Sequence, residues 1–294
     1  MRSGEIAVIG RPNAGKSTLV NRIVGEKVAI VSDKPQTTRK RILGVARRDD
    51  LEIALIDTPG IHKPEYKMNA QMVRDATDAL TGADAVLLVI DAADRPGPGE
   101  AYLLGLVAKA GKPVLLALNK IDLVKKERLL PRIAALSEQG SFREIVPISA
   151  RTGDGVEGLV GLLAAALPER DAAYPEDFLT STPETEWISE TIREKLLERT
   201  REELPYSTAV VIDSLQQAPD KPVTVVYASI VVEREGQKGI VVGKGGAMIK
   251  QIGTAAREEL EAETGRKFFL DLQVKVREDW RNDERFLSRI TGPE

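Results

Sequence analysis

The chain has 294 residues, of which 42% are hydrophobic and 30% charged, with a net charge of −3; that length points to two cores rather than one. It has no cysteine and a single histidine, so disulfides, thiolate metal centres and multi-histidine sites are excluded. The acidic balance confines any nucleic-acid site to a local basic patch. No apolar run approaches the roughly 18 residues of a membrane span. MRSGEIAVIG enters a strand-like run at once, so no secretion signal is expected, and a cysteine-free chain fits a reducing cytosol.

The run EIAVIG leads into GRPNAGKS, residues 10–17, which fits G-x-x-x-x-G-K-[ST] between a strand and a helix. Gly10 and Gly15 let the backbone curl so that successive N–H groups face phosphate oxygens, and the helix N-terminus adds partial positive charge. Lys16 has the reach for β- and γ-phosphates, and Ser17 has the hydroxyl for Mg²⁺. Asn13 reads equally as a turn residue or as a ligand for a monovalent cation such as K⁺. In the loop PQTTRKR a threonine can meet Mg²⁺; Thr38 is the expected ligand, ahead of Thr37. LEIALI then ends at DTPG, where Asp57 can hold Mg²⁺ through water and the Gly60 amide can bond a γ-phosphate. Lys16, Thr38 and Gly60 are therefore the expected catalytic contacts.

Many GTPases place a glutamine after D-x-x-G to orient the attacking water. Here that position is Ile61, followed by His62. An aliphatic side chain cannot polarise water, so hydrolysis is expected to be slow without activation. His62 reads first as a surface residue of a switch loop.

The helix-period segments YKMNAQMVRDATDALTG and GEAYLLGLVAKAG alternate with the apolar runs DAVLLVID and KPVLLALN. After the latter comes NKID, residues 119–122, at the strand end where open α/β sheets bind ligands. Asp122 can accept from both N1–H and the N2 amine of guanine; adenine offers neither donor in that geometry. Asn119 can hold the base edge, and the Lys120 stem can cover one face. EIVPIS leads to SAR, residues 149–151, where Ser149 adjoins the site and the Ala150 amide can donate to guanine O6. GVEGLVGLLAAALP reads as a closing helix stopped by Pro168. This alternation indicates a mostly parallel sheet with helices on both faces, in a guanine-nucleotide domain spanning 1–168.

A proline-bearing stretch with almost no apolar periodicity, residues 169–184, reads as a linker to a second domain at 185–294. There a charged helix WISETIREKLLERTREEL precedes the alternating runs STAVVIDSL and VTVVYASIVVERE. A second glycine loop, a helix through IKQIGTAAREELEAETG, a strand FFLDLQVKVRE and a short helix follow, describing a small α+β domain with a three-stranded sheet. That loop, GKGG at 243–246, lacks triphosphate-loop spacing but fits the G-x-x-G between two helices with which KH domains clamp a nucleic-acid backbone. Gly243, Gly245 and Gly246 permit close approach, and Lys244 supplies charge. Ile240, Val242, Ile249 and Ile252 have the spacing to line an apolar groove for about four bases. Around them, Arg234, Lys238, Lys244, Lys250 and Arg257 face the single acid Glu235, a local basic patch in an acidic chain.

The stretches GRPNAGKST, PQTTRKRILG, DTPGIHKP, NKIDLV, YPEDFLT, REELPYS, QKGIVVGKGGAMIKQIGTAAREELE and WRND together resemble the Era family, bacterial GTPases of small-ribosomal-subunit assembly with a C-terminal KH domain. The resemblance covers essentially the whole chain. It implies an α/β P-loop GTPase domain with a mostly parallel six-stranded sheet, followed by a smaller α+β type II KH domain. It also implies GTP hydrolysis to GDP and phosphate, Mg²⁺ as cofactor, and nucleotide contacts extending to Ala14 and Thr18. The implied RNA is the 3′ end of 16S rRNA, in assembly and maturation of the 30S subunit, with no DNA partner. The implied location is cytoplasmic with peripheral contact at the inner face of the cell membrane. An apolar residue after DTPG is shared by the family, whereas TSTPETE is looser than its usual pattern and leaves the linker's path open. Two other readings stand beside this one. A tRNA-modifying or other assembly GTPase is opposed by the KH segment, and a non-catalytic RNA-binding module by the intact Lys16, Ser17, Asp57 and Asp122.

Overall fold

The computed structural model describes residues 1–34, 37–61 and 67–291. The backbone forms two compact units, the first reaching Ser181 and the second beginning at Thr182. The first contains β1 (Arg2–Gly10), α1 (Lys16–Val24), β2 (Ile42–Arg48), β3 (Leu51–Asp57), α2 (Lys67–Gly82), β4 (Ala85–Asp91), α3 (Pro98–Lys109), β5 (Val114–Asn119), α4 (Leu129–Gln139), β6 (Glu144–Pro147) and α5 (Val156–Ala166). Its sheet runs β2-β3-β1-β4-β5-β6, parallel throughout except for β2, which is antiparallel to β3.

The apolar runs of β1, β4 and β5 follow from this arrangement, because parallel strands covered on both faces bury successive residues on opposite sides. Ile6 and Val8 pack with Leu19 of α1 and Leu159 and Leu163 of α5. Ala7 and Ile9 pack on the other face with Ala76 of α2 and Leu103 of α3. The parallel register pairs Val8 with Asp57 and Asp91 with Asn119, so the loops after β1, β3 and β5 gather at one edge of the sheet. β2 pairs along its full length with β3 through a tight turn at Asp49 and Asp50.

The stretch read from sequence as a linker, 169–184, does not run free. Glu169 bridges Arg2, the Arg170 amide donates to the Met1 carbonyl at 3.1 Å, and Thr180 bridges Gly44 on the outer edge of β2. The Val45 amide donates to the Leu179 carbonyl at 2.9 Å. Tyr174 stacks on Phe178 with centroids 5.0 Å apart and donates its hydroxyl to Glu5 Oε1 at 3.0 Å. This strap covers an edge strand that would otherwise present unpaired backbone groups.

At its centre is Glu52, 1% exposed, which accepts from Arg47 at 2.6 Å, Ser3 at 2.8 Å and the Ala173 amide at 2.7 Å. Arg47 also donates to the Tyr174 and Glu176 carbonyls.

The second unit contains α6 (Glu184–Arg199), β7 (Ala209–Gln217), β8 (Val223–Val232), α7 (Glu235–Val242), α8 (Ala247–Thr264), β9 (Lys267–Val276) and α9 (Glu284–Thr291). Its sheet is β7-β8-β9, with β7 antiparallel and β9 parallel to β8. Ile188, Ile192 and Leu196 of α6 and Ile252, Ala256 and Leu260 of α8 bury one face, against Val226, Ala228 and Ile230 of β8. Two boundaries differ from the sequence reading. α6 begins inside the expected linker, after Pro183, with Glu184 and Glu186 in a first turn where acids are favourable. It stops at Arg199 because Thr200 is extended and Glu202 is left-handed. A short helix, α7, precedes the glycine loop, as the reading of that loop as a G-x-x-G between two helices requires. Among the described residues no helix is long and apolar enough to cross a membrane.

Burial alone pushes the Glu52 carboxyl up, but the Ala173 amide, Arg47 and Ser3 outweigh it and hold it below the usual 4.5. A depressed folded value stabilises fully above the unfolded value and loses that contribution as pH falls through the folded one. Glu52→Gln is therefore expected to cost about 2 kcal/mol at neutral pH, with the difference shrinking as pH falls below 4.5. Both tryptophans, Trp187 and Trp280, belong to the second unit. A urea transition seen by far-ultraviolet circular dichroism but not by tryptophan fluorescence thus reports the first. A gap that persists unchanged in acid would show that the strap does not depend on the ionised carboxylate.

Candidate functional site

Close approach of three loops explains the glycines. A Cβ at Gly10 would lie 2.5 Å from the Val89 carbonyl oxygen, one at Gly15 2.2 Å from Asn119 Nδ2, and one at Gly60 2.5 Å from the Pro12 nitrogen. Asn13 (φ 62°) and Gly15 (φ 93°) take left-handed conformations that curl residues 10–15 in front of α1. The Asn13 side-chain amide donates to the Asp33 carbonyl, tying this loop to the segment before Thr38. Lys16 is 5% exposed and folds back to donate to the carbonyls of Gly10 at 3.4 Å and Arg11 at 3.2 Å. Burial pushes its amine down, and the nearby Asp57 opposes that.

Ser17 Oγ donates to Asp57 Oδ2 at 2.7 Å and lies 2.9 Å from Thr38 Oγ1, itself 3.4 Å from the same carboxylate oxygen. Thr37 instead turns its hydroxyl to the Lys34 carbonyl at 2.6 Å. Asp57 is fully buried; burial pushes its carboxyl up, against Lys16, Ser17 and Thr38. Its Oδ1 has no hydrogen-bond partner among the described residues. Two hydroxyls and a carboxylate with one unsatisfied buried oxygen form an oxygen-only donor set, which fits a hard divalent cation such as Mg²⁺. Ile61 is 3% exposed and packs into the core with Ile9 and Leu88, its amide donating to the Gly10 carbonyl at 3.2 Å. It does not face water. His62 lies outside the described residues.

Asn119 ends β5, and its carboxamide donates to the Ala14 carbonyl at 2.8 Å and accepts from the Ala150 amide at 2.9 Å. The Ala150 amide is thus taken by the protein itself, so the direct donation to a base O6 expected from sequence is not what this arrangement offers. Lys120 is left-handed (φ 63°), with its amine 2.6 Å from Asp91. Asp122 accepts from Ser149 Oγ and from Arg151 Nη2, each at 2.6 Å. The Ser149 bond first, and Arg151 after it, hold the Asp122 carboxyl below its usual value despite partial burial.

Arg151 was not among the expected site residues, although it sits within the SAR motif. One cavity of about 460 Å³ runs from the phosphate loop to the NKID and SAR segments, its walls including Pro12, Thr18, Thr38, Gly60, Asp122 and Arg151. That is a volume suited to a small-molecule ligand. Its remaining wall, Ile30 to Asp33, carries no motif and was not anticipated.

In the second unit, GKGG joins α7 to α8 with Gly243 (φ 72°), Gly245 (φ 61°) and Gly246 (φ 81°) all left-handed. Gly243 is also hemmed in, since a Cβ there would lie 2.8 Å from Met248, whereas Gly245 and Gly246 face open space. Lys244 and Lys250 are exposed and Lys238 half-buried. Ile240 is 54% exposed, and Val242 and Ile249 are half-buried. Ile252, expected in the groove, is fully buried instead. It shares its face of α8 with Ala256 and Leu260, at the four-residue spacing that points into the core. Arg257 turns toward Glu261, 3.6 Å away, so its charge belongs less to the patch than the three lysines'.

Residues 5–120 match the family of 50S ribosome-binding GTPases and residues 203–281 match the KH domain. GTPase Era of Geobacter metallireducens is 50% identical over 289 residues, covering 98% of this chain and 97% of that protein. GTPase Era of Staphylococcus haemolyticus is 44% identical over 98% of this chain and 96% of its own length. Among solved structures, an Aquifex aeolicus Era variant bound to GDP·AlF4⁻ superposes with a TM-score of 0.94 at 39% identity, over 99% of both chains. A complex of Era with MgGDPNP and nucleotides 1506–1542 of 16S ribosomal RNA superposes with a TM-score of 0.95, again at 39% identity and 99% of both chains. Because the identity runs the length of both units rather than through the nucleotide motifs alone, the chain belongs to the Era family of GTPases.

Proposed function

We propose that this GTPase is a nucleotide-driven switch that binds the 3′ end of 16S rRNA and acts in assembly and maturation of the 30S subunit. The observation that carries the proposal is the pairing of one complete guanine-nucleotide pocket with a separate, exposed GKGG loop ringed by lysines. The 16S rRNA complex of a relative matched over its full length supports the choice of RNA.

In the pocket, Gly10, Asn13, Ala14, Gly15, Lys16 and Thr18 hold the phosphates. Ser17, Thr38 and Asp57 hold Mg²⁺, whose chemistry when bound is to bridge phosphate oxygens and neutralise charge that grows during hydrolysis. Asn119, Lys120 and Asp122 take the guanine, with Ser149 aiming Asp122 and Ala150 holding Asn119. Lys16, Thr38 and the Gly60 amide stabilise the γ-phosphate. With Ile61 buried, no side chain at that position orients water, which fits slow unaided turnover. Asn13 is the candidate ligand for K⁺. In the second unit Gly243, Gly245 and Gly246 let the RNA backbone approach, Lys238, Lys244 and Lys250 neutralise its phosphates, and Ile240, Val242 and Ile249 receive bases. The protein works in the cytoplasm, with peripheral contact at the inner membrane face; no DNA partner is proposed.

If Asp122 reads the N1–H and N2 donors, Asp122→Asn should weaken GTP on the order of 100-fold and favour xanthosine triphosphate, whose 2-oxo group accepts. Unchanged GTP affinity in competition binding would remove the base assignment.

Gly245 faces open space and is left-handed, a conformation that Asp and Asn tolerate best after glycine. Gly245→Asp should therefore fold, abolish binding to a 16S 3′-end oligonucleotide and leave GTP affinity unchanged. Gly245→Asn, of the same shape without the charge, should retain most of the RNA affinity. Equal binding by wild type and Gly245→Asp would sink the KH-loop assignment.

A switch also requires that RNA affinity differ between GDP and a non-hydrolysable GTP analogue, by about five- to 150-fold at one salt concentration. The GTP form is expected to bind more tightly. Equal affinities would leave two independent binders on one chain.

A further inference from the structure

Arg22 lies in the last turn of α1, where a cation complements the helix C-terminus. Its contacts go beyond that. Nε donates to the Ala150 carbonyl at 3.1 Å, and Nη2 donates to the Arg151 carbonyl. One guanidinium edge therefore grips two successive peptides of the turn that carries Ser149 and Ala150. Within the turn, the Ser149 amide donates to the Asp154 carbonyl at 2.9 Å and the Gly153 amide to the Ser149 carbonyl at 2.8 Å. Gly153 is left-handed (φ 97°), and a Cβ there would meet Arg22 Nη1 at 3.5 Å, so the guanidinium lies directly against the bend.

The same turn makes both hydrogen bonds that orient the base-reading side chains. Ser149 Oγ donates to Asp122, and the Ala150 amide donates to Asn119. We infer that Arg22 is a positioning residue for guanine recognition, holding the 149–151 turn so that Ser149 and Ala150 aim Asp122 and Asn119 at the base. The inference rests on the base-reading role proposed above for Asp122. Arg22 reaches this turn from α1, the helix whose N-terminus carries the phosphate loop, and so adds a second tie beside Asn119 between the two halves of the pocket.

Arg22 itself is exposed, as is the Arg151 carbonyl it leaves, so its loss should change the melting temperature little. Arg22→Ala is expected to lower GTP and GDP affinity about tenfold, the size of one net hydrogen bond or two. Affinity for ITP, which lacks the N2 amine, should fall clearly less, so the preference for GTP over ITP shrinks. Turnover at saturating GTP should stay within about twofold, because Lys16, Thr38 and Gly60 act at the other end of the pocket. Arg22→Lys, a single point donor in place of a planar fork, should restore part of the preference.

Competition against a fluorescent GDP measures all of these, with Asp122→Asn run alongside. Unchanged GTP affinity in Arg22→Ala, or an equal loss for GTP and ITP, overturns the inference. If Asp122→Asn itself leaves the GTP-over-ITP preference intact, the base-reading role fails and Arg22 with it. If Asp122→Asn alters that preference and Arg22→Ala does not, only the assignment of Arg22 fails.

Discussion

The Asn119 carboxamide, 1% exposed, donates to the Ala14 carbonyl and accepts from the Ala150 amide. Breaking either bond would strand a buried polar group at a cost of about 1–3 kcal/mol. The phosphate loop, the end of β5 and the 149–151 turn therefore hold one relative placement. Other features follow from it. Gly15 must lack a side chain because Asn119 Nδ2 would lie 2.2 Å from a Cβ there. Lys120 takes a left-handed conformation, which sends its amine back to Asp91 and brings Asp122 beside Ser149 on the cavity wall. The parallel sheet supplies the edge on which these loops meet, but this buried amide fixes their spacing.

The two halves of the pocket differ in how their polar groups are satisfied. Around Asn119 and Asp122, donors and acceptors are matched within the protein, so that half is rigid before any ligand binds. Around Lys16 and Asp57, burial pushes the lysine down and the carboxylate up, and Asp57 Oδ1 has no hydrogen-bond partner among the described residues. Desolvation of these groups is thus already built into the fold. Oriented charges and donors that need no rearrangement stabilise a phosphate and its cation more than flexible ones. Thr38 belongs to this second half, its hydroxyl meeting Ser17 and Asp57. On the proposed roles, recognition of the base and response to the γ-phosphate would rest on different physics.

Much of this was legible in the sequence wherever chemistry forces short fixed spacings. GRPNAGKS, DTPG, NKID and SAR each place a turn, a charge and a strand end within a few residues, and Asp57, Asn119 and Asp122 lie where those spacings put them. Long-range partners left no such trace. Nothing in the order of residues shows that the Ala150 amide is satisfied by Asn119, or that Arg151 closes on Asp122. α7 was legible only through the G-x-x-G pattern and not through its own residues, because EGQKGIVV contains two glycines and three β-branched residues, a poor local helix; tertiary packing of Val241 and Gln237 outweighs that propensity. Ile252 was misassigned because one isoleucine period serves both a groove and a core, and only the packing of α8 on β8 distinguishes them.

The strap shows the same limit most clearly, since low apolar content and prolines ordinarily mark a free linker. Its partners are backbone atoms and charged side chains such as Glu5, Arg47 and Glu52, which leave no hydrophobic pattern to read. Their placement matters for any link between nucleotide and RNA. β2 begins four residues after Thr38, and its outer edge holds Leu179 and Thr180 just before the second unit begins at Thr182. A free proline-containing coil would dissipate a displacement of Thr38 within a few residues. A strand paired on both edges moves as a body or loses its hydrogen bonds, and that is the discrete alternative that coupling between distant sites requires. The segment that follows Thr38 covalently is therefore also the one that holds, by backbone pairing, the chain leaving the GTPase unit.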